Sequence, residues 1–292
     1  MKYNKIAIIS GGINIKIDSR YRNIGNYIYD HLKPKFDNVT HYTDFDINNN
    51  HLLHTITQEN DLIINCVEYN GISSSEKDMR CFSYNTTYVE HLSRFCKLHN
   101  CGLIHISSEH VYSLNINTPI NELGKKSPPT KYGQSKLYGE IWITNQLQTN
   151  YLILRPSWLY FPVCNFTYPL YNCIVDEYTK NIHVDNKYIG RPTSINTINT
   201  VVESFILNKL PSGIYNVSDD GQPCTKYDIV QFLYKIYKNH DINIVPLFYE
   251  ENKLDDTIGY NLDCSKLYDI INKQSKIITT WQTNMCNEIN NK

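Results

Sequence analysis

Short apolar runs alternate with amphipathic stretches over the first half of the chain. Four runs rich in Ile, Leu and Val, at residues 5–10, 61–67, 102–107 and 151–156, have the length and composition of buried strands. Residues 38–43 carry a weaker strand pattern. Because strands separated by helices usually pair in parallel, the pattern predicts a parallel sheet with right-handed crossovers.

Three stretches between these runs have the spacing of helices. Residues 23–32 end just before a proline, and residues 131–148 follow a double proline. Residues 78–99 repeat apolar side chains on one face, which is typical of a long helix packed on a sheet. The polar residues 44–51 indicate a loop.

The pattern changes after residue 155. Prolines break the chain into shorter pieces, with a strand and turn predicted at residues 213–220, an amphipathic helix at 225–238 and a terminal helix at 275–290. The sequence contains no internal repeat.

This organisation predicts an α/β fold in two parts. Residues 1–155 are expected to form a doubly wound, Rossmann-type parallel sheet. Segments at about 195–220 are expected to return to this core, and residues 156–292 mainly to form a smaller, mixed α/β lobe. Ligands of such sheets bind at the carboxyl ends of the strands, which directs attention to the residues that follow each apolar run.

Charge and composition narrow the function. The 292 residues include 28 Lys and Arg against 29 Asp and Glu, so no basic surplus is present to hold nucleic acid. No apolar run has the length of a membrane span, and the first run reads as a buried strand rather than a secretory signal. We therefore expect a cytoplasmic protein with no nucleic-acid or membrane partner.

The cysteines and histidines do not predict a metal site. The nine cysteines contain no CxxC pair, which favours free thiols in a reducing compartment. Cys96 and Cys101 are close in sequence, as are His51 and His54, but neither pair has further ligands beside it. We expect no bound metal.

Tyr132 and Lys136 are the first candidates for chemistry. They lie four residues apart in "TKYGQSKLYGE", so a helix places them on one face. A nearby cation favours the phenolate and is expected to lower the pKa of the tyrosine, which could then exchange a proton with a carbonyl or an alcohol. The same lysine could bind the sugar hydroxyls of a nicotinamide nucleotide. A YxxxK pair alone is common by chance, so its context decides.

Ser107 and Ser108 supply that context. They follow the buried run at 102–107 and thus lie at the carboxyl end of a strand, where a hydroxyl could bond the same substrate oxygen as Tyr132. A serine that caps the strand end is the alternative. The order of strand, serine, proline-bearing loop, YxxxK helix and strand is harder to meet by chance than any one part.

Several segments together resemble a known family. They are "DLIINCVEY", "SYNTTYVEHLSRFCKLHNCGLIHISSEHVY", "YGQSKLYGE", "LILRPSWLY", "IGRPTS" and "GIYNVSDDGQPCTKYDIV", which span most of residues 60–235. The chain is similar to the extended short-chain dehydrogenase/reductases, and within them to the dTDP-4-dehydrorhamnose reductase (RmlD-like) branch.

The resemblance implies an oxidoreductase of deoxysugar nucleotide biosynthesis. NADPH or NADH would reduce a nucleotide-linked 4-keto-6-deoxy sugar similar to dTDP- or UDP-4-dehydrorhamnose. The sheet domain would bind the dinucleotide, and the lobe would bind the sugar nucleotide. A homodimer is a further expectation, and the nucleotide base, the 2-substituent of the sugar and the choice between NADH and NADPH stay open.

The resemblance also assigns roles to residues. Ser108 would polarise the substrate carbonyl, Tyr132 would act as the general acid, and Lys136 would lower its pKa and hold the nicotinamide ribose. The expected cofactor contacts are Gly11, Gly12, Arg22, Gly25, Asn65, Cys66, Asn85, Ser107, Arg155 and Ser157. The expected substrate contacts are Glu109, His110, Trp158, Arg191 and Thr193.

Two of these substrate contacts have a purely structural role as the alternative. Trp158 is either a stacking platform for the sugar or base, or a half-buried core residue. Arg191 is either a partner for the diphosphate or an exposed residue on a turn.

The nucleotide-binding turn departs from the family pattern. Gly25 aligns with the last glycine of the usual GxxGxxG, but Arg22 stands where another glycine is expected. Either the loop bulges, so that Gly11 and Gly12 still turn beneath the phosphates while Arg20 or Arg22 adds charge, or dinucleotide binding is weakened or lost. We favour the first interpretation, because a complete Ser-Tyr-Lys set has little use without a hydride source.

Other departures leave two alternative functions open. Glu109 and His110 replace an Asp and an aromatic residue, and Asp256-Thr257 stands where an Arg-Pro pair is usual. Some relatives also epimerise the sugar with a cysteine after the third strand, where this chain has "GISSSEK" and offers only Glu68, Tyr69 or a lysine. A bifunctional 3-epimerase/4-reductase and a non-catalytic, RmlD-like regulatory subunit are therefore the alternatives.

Overall fold

A computed structural model of the protein describes most of the chain. The described residues are 3–11, 23–69, 71–160, 167–238, 240–247, 258–274 and 278–290. Gly12, Arg20, Arg22 and the Asp256-Thr257 pair, all named above, lie outside these ranges.

Strands and helices alternate along the described residues. The strands are β1 Lys5–Gly11, β2 Asn38–Tyr42, β3 Leu62–Val67, β4 Gly102–Ile106, β5 Asn115–Ile120, β6 Tyr151–Pro156, β7 Leu159–Tyr160, β8 Asn181–Asp185, β9 Tyr188–Gly190, β10 Thr193–Ser194, β11 Gly213–Val217, β12 Cys224–Thr225, β13 Asn243–Leu247 and β14 Ile258–Leu262. The α-helices are α1 Ile24–Leu32, α2 Asn50–Glu59, α3 Ile72–Ser75, α4 Arg80–Phe82, α5 Tyr88–His99, α6 Lys131–Gln146, α7 Thr167–Val175, α8 Ile195–Ile206, α9 Lys226–Tyr237, α10 Ser265–Asn272 and α11 Trp281–Asn290. A π-helical turn covers Ser83–Thr87, and a 3₁₀ turn covers Glu109–Val111.

Six of the described strands form one parallel sheet in the order β2-β1-β3-β4-β6-β11. The predicted α/β fold with a doubly wound parallel sheet is confirmed. The chain runs outward from β1 to β2 and then crosses to β3 on the other side, so the order reverses between β1 and β3. A crevice opens outside the strand ends at such a switch point. Gly11 pairs with Val67 there, which places the residues after Val67 at its mouth.

Both faces of the sheet are covered, which explains the continuous apolar runs in its strands. On one face, Ile6 and Ile8 pack in a cluster with residues of α1, α8 and α10. On the other, Ala7 and Ile9 pack with residues of α2, α5 and α6. Alternate residues of each strand therefore enter different cores.

The later half of the chain contributes to the sheet and also forms its own layers. β11 pairs with β6 from Gly213 to Val217, beside residues more than fifty positions earlier in sequence. A four-stranded sheet, β12-β9-β14-β5, and the pair β13-β8 lie outside the main sheet. A separate apolar cluster joins α7, α9 and α11 around Trp281 and Met285.

Three predicted elements differ from the structure. The terminal helix predicted at 275–290 begins at Trp281. The interval 44–51 is not all loop, because α2 begins at Asn50, where the side chain of Asn49 accepts a hydrogen bond from the amide of Leu52. The helix predicted at 78–99 begins at Arg80 and contains the π-helical turn at 83–87. Such a turn inserts a residue into the helical repeat and often marks a functional site.

The described helices were also tested as membrane spans. None of them combines the length and the apolar character that crossing a bilayer requires.

Candidate active site

Two glycines let α6 approach the rest of the molecule closely. The helix begins after Thr130, whose hydroxyl accepts a hydrogen bond from the amide of Gly133 at 3.1 Å. A Cβ on Gly133 would lie 2.1 Å from the carbonyl oxygen of His110, and one on Gly139 would lie 2.3 Å from that of Asn85. This close packing buries Tyr132 and Lys136, which are 7% and 1% exposed.

Lys136 is held at the carboxyl end of β4. Its Nζ donates to the carbonyl oxygen of Ile106 at 2.7 Å and to Oε2 of Glu68 at 3.3 Å. An ammonium group has three N–H donors, so within the described residues one donor is left for a ligand. The lysine is fixed in direction by the strand end and still able to bind.

Tyr132 meets the same carboxylate. Its hydroxyl donates to Oε2 of Glu68 at 3.4 Å and also bonds the hydroxyl of Ser108. Burial, followed by the negative charge of Glu68, raises the pKa of the phenol well above its ordinary value. The sequence predicted a pKa lowered by Lys136. In this structure the pKa is raised instead, first because the phenol is buried and second because the Glu68 charge lies beside it.

Glu68 is thus a site residue that the sequence analysis named only as a candidate for epimerisation, without predicting its contact with Tyr132 and Lys136. It follows Val67 directly, at the mouth of the switch-point crevice, and 29% of its side chain is exposed. The available signal was a glutamate immediately after the buried run "LIINCV", because carboxyl ends of neighbouring parallel strands meet at one edge.

Ser108 begins a short turn that carries two expected substrate contacts. Its hydroxyl accepts a hydrogen bond from the amide of His110. The His110 ring lies edge-on to Tyr132, with centroids 5.7 Å apart, and its Nδ1 lies 3.2 Å from the hydroxyl of Tyr260. Burial lowers the pKa of His110 to about 4, so the ring is neutral at pH 7.

Glu109 points away from solvent and is 2% exposed. Burial raises its pKa to about 8, although the hydroxyl of Ser157 and the amide of Trp158 donate hydrogen bonds to the carboxyl group. Within the described residues, its Oε2 has no hydrogen-bond partner. A neutral carboxylic acid is therefore the expected form near pH 7.

Ser107 and Arg155, both expected cofactor contacts, make hydrogen bonds within the protein. The Ser107 hydroxyl donates to Oε1 of Glu140 at 2.5 Å. Arg155 is fully buried, and its guanidinium group donates to both oxygens of Glu140 and to the hydroxyl of Tyr112. Because its donors are taken up beneath the site, Arg155 ties β6 to α6 instead.

Asn65, Cys66 and Asn85 also lie beneath the crevice. The Asn65 amide contacts Nδ1 of His105 at 2.9 Å, and burial raises the pKa of the Cys66 thiol. Asn85, in the π-helical turn, bonds both the amide and the carbonyl of Tyr69. In this structure their polar groups fix the strand end that carries Glu68.

The segment after β6 carries Ser157 and Trp158, which face β9 and β10. The hydroxyl of Ser157 accepts a hydrogen bond from the amide of Arg191, and Thr193 is fully buried, with its hydroxyl on the carbonyls of Ser157 and Val217. These hydroxyls join neighbouring segments of the chain.

Arg191 and Trp158 have different surroundings in the structure. The Arg191 guanidinium donates to the carbonyls of Leu262 and Gly221, at 2.7 and 2.6 Å. Those bonds make it a brace between chain segments, while its Nε has no hydrogen-bond partner among the described residues. Trp158 is half-buried, and its indole covers Gly190, where a Cβ would lie 2.3 Å from the ring.

At the other end of the crevice, Gly11 and Gly25 flank the start of α1. Gly11 has a φ of +153°, and a Cβ there would lie 2.9 Å from the amide nitrogen of Phe45. A Cβ on Gly25 would lie 2.8 Å from that of Ser10. Both positions therefore favour glycine for packing. Asn23 caps the helix, and the loop between Gly11 and Asn23 lies outside the described residues.

A doubly wound sheet with a serine, a tyrosine and a lysine at its switch point defines the class: the fold and site are those of an extended short-chain dehydrogenase/reductase. Residues 23–284 match the sequence model of the family described as RmlD substrate binding domain. The chain belongs to this family.

Two similar proteins illustrate the relationship in sequence. The chain is 25% identical to the dTDP-4-dehydrorhamnose reductase of Sinorhizobium fredii over 199 residues, which are 63% of this chain and 66% of the relative. It is 26% identical to that of Mycolicibacterium smegmatis over 141 residues, 47% of this chain and 43% of the relative. The matched stretches thus span less than two thirds of both relatives.

Among solved structures, the dTDP-4-dehydrorhamnose reductase of Bacillus anthracis, in complex with NADP, covers the whole of both chains. Its TM-score is 0.81 and its identity to this chain is 21%. At that identity the likeness establishes a shared fold.

Proposed function

We propose that the protein is an NAD(P)H-dependent reductase of a nucleotide-linked 4-keto-6-deoxy sugar, of the kind represented by dTDP- or UDP-4-dehydrorhamnose. The observation that carries this proposal is the meeting of Ser108, Tyr132 and Lys136 at the carboxyl ends of β3 and β4. The names of the relatives from Sinorhizobium fredii and Mycolicibacterium smegmatis support the substrate class.

The residues around the crevice fit a nicotinamide dinucleotide. Lys136 has an N–H group left for the nicotinamide ribose, beside the β1–β3 switch point where dinucleotides bind in this fold. The N-terminus of α1, beside Gly11, suits a pyrophosphate because helix N-termini attract anions. When bound, the reduced cofactor supplies the hydride.

The chain itself supplies binding and a proton. The hydroxyls of Ser108 and Tyr132, which bond each other, would both bind the carbonyl oxygen of the sugar. Because burial and Glu68 raise the pKa of Tyr132, its hydroxyl keeps its proton at neutral pH and can give it to the oxygen as negative charge develops. This arrangement suits reduction, which needs an acid, better than alcohol oxidation, which needs a base.

The sugar nucleotide is proposed to lie between the sheet domain, residues 1–155, and the later lobe. Neutral His110 and the exposed part of Trp158 would contact the sugar or the base. The cysteines of the described ranges are all free, which supports a cytoplasmic location. We also propose that the protein forms a homodimer.

The test is a panel of dTDP- and UDP-4-keto-6-deoxy sugars, with and without a 2-acetamido group, scored by oxidation of NADPH and of NADH. Tyr132→Phe removes one hydroxyl and is expected to lower kcat by about a hundredfold or more while the unfolding curve stays near that of wild type. Tyr138→Phe, an exposed tyrosine on the same helix, is the matched control and should keep full activity.

Either of two results contradicts the proposal. One is full activity in Tyr132→Phe. The other is the absence of any NADPH or NADH binding by wild-type protein in calorimetry, which would instead favour a non-catalytic subunit.

A further inference from the structure

The carboxylate of Glu68 touches both groups that the proposed reduction needs. Oε2 lies 3.4 Å from the Tyr132 hydroxyl and 3.3 Å from Nζ of Lys136, and it accepts a hydrogen bond from each. The position is set by the backbone, because the Glu68 amide donates to the carbonyl of Gly11 and the next residue is held on both sides by Asn85.

Exposure distinguishes Glu68 from its neighbours. Its side chain is 29% exposed, while Tyr132 and Lys136 are 7% and 1% exposed. Among described residues, the other titratable groups around the phenol are Cys66, Glu109 and His110. Cys66 is 6% and Glu109 is 2% exposed, and the His110 ring is bonded to Tyr260.

We propose that Glu68 is a proton relay, which returns a proton from solvent to Tyr132 after each turnover. The inference rests on the proposed function, because only a reductase consumes the phenolic proton. It adds to that function a residue that is not part of the Ser-Tyr-Lys set.

The proton balance is simple. The Tyr132 O–H bond breaks as the new hydroxyl O–H of the product forms, which leaves a phenolate buried in the site. The Glu68 carboxylate takes up a proton from an acid in solvent, hydronium or buffer, at its exposed side. This carboxyl O–H then breaks as the Tyr132 O–H re-forms, which returns Glu68 to the carboxylate. One solvent proton is used for each carbonyl reduced.

The electrostatics favour this direction. A buried phenolate beside a carboxylate is a strong base, because burial and the charge of Glu68 both raise the pKa of Tyr132. A proton on the carboxyl group is therefore transferred to the phenolate downhill, over a single hydrogen bond.

The experiment compares wild type with Glu68→Gln, which keeps the size and the accepting oxygen but cannot take up and release a proton. dTDP- or UDP-4-dehydrorhamnose is mixed rapidly with enzyme and excess NADPH. Because Tyr132 starts protonated, the first turnover of the variant should match wild type, and later turnovers should slow by about tenfold to a hundredfold. Formate should restore later turnovers in Glu68→Ala, since the vacated position is partly exposed.

A second readout needs no turnover. In coenzyme-free protein with ¹³C-labelled tyrosine, Glu68→Gln should lower the pKa of the Tyr132 resonance, which is assigned by its loss in Tyr132→Phe. Glu76→Gln is the matched control: Glu76 accepts a hydrogen bond from the amide of Lys131, near the same helix, and should leave rates and titration unchanged.

The outcomes separate the two proposals. Sustained wild-type turnover by Glu68→Gln, or loss of its first turnover, overturns the relay and leaves the reductase standing. Failure of wild type to oxidise NADPH with any sugar of the panel overturns the reductase and the relay with it.

Discussion

At the scale of single residues, the site depends as much on absent side chains as on present ones. Gly133 and Gly139 allow α6 to sink until Tyr132 and Lys136 reach the strand ends. The clash distances of 2.1 and 2.3 Å are to backbone oxygens, which cannot rotate away as a side chain could.

Gly133→Ala is therefore expected to destabilise the protein by about 1–3 kcal/mol, because the new methyl group overpacks against the carbonyl of His110. The sign is informative, since alanine in an open helix position would stabilise by about 1 kcal/mol. Urea unfolding measures the difference, with Gln134→Ala on the same helix as control. A stabilised Gly133→Ala would show that the helix is not packed as described.

The sequence predicted Ser108, Tyr132 and Lys136 as a set, because spacing on a helix and position after a strand are local properties. The sequence could not predict which other side chains these residues contact. Glu68 and Lys136 are 68 residues apart, and their contact depends on the register of β1, β3 and β4. The donors of Arg155 are used up by Glu140 and Tyr112, which a sequence motif cannot reveal either.

At the scale of elements, a buried ion pair fastens α6 to β6. Arg155 and Glu140 are 0% and 2% exposed, and their shortest contact is 2.5 Å. A charge left alone in such a place is costly, because burial removes its water without replacing it.

Glu140→Gln should accordingly cost about 3 kcal/mol of unfolding free energy, since the Arg155 charge would be left without a counter-ion. Glu90→Gln removes half of the Glu90–Arg94 pair, whose arginine is mostly exposed, and should cost less than about 0.5 kcal/mol. Denaturant unfolding of both variants gives the comparison. Equal costs would mean that the buried pair is unimportant for stability.

Element boundaries were predicted best where burial is continuous. The central strands β1, β3, β4 and β6 are mostly apolar and are buried after their first residue, so their pattern is clear. α2 was not predicted, because its first turn is polar and it buries only Leu53, Ile56 and Thr57. Strands of two or three residues, such as β7 and β9, are too short to carry a period of their own.

At the scale of the whole molecule, two buried acids lie near each other, Asp219 after β11 and Glu288 in α11. Asp219 follows β11 and accepts hydrogen bonds from Tyr160, Ser194 and Thr197. Glu288 of α11 is 7% exposed, and burial, together with the charge of Asp219, raises its pKa to about 9.

This pKa predicts a loss of stability as pH rises. Above the ordinary pKa of a glutamate the unfolded chain releases the proton while the folded protein keeps it, so unfolding is favoured up to the folded value of about 9. Between about pH 5 and pH 8, wild type should lose about 4 kcal/mol more than Glu288→Gln, which cannot ionise. Urea midpoints at both pH values test this, with the exposed Glu59→Gln as control. A variant that follows the wild-type pH profile would rule the group out.

The place of β11 has a consequence for how the protein is made. During synthesis β6 leaves the ribosome long before β11, so for that interval its outer edge has backbone groups without a partner strand. An unpaired edge invites association with other nascent chains. A chain whose synthesis stalls between Pro156 and Gly213 would therefore be prone to aggregate. A product truncated in this interval should need a chaperone to stay in solution.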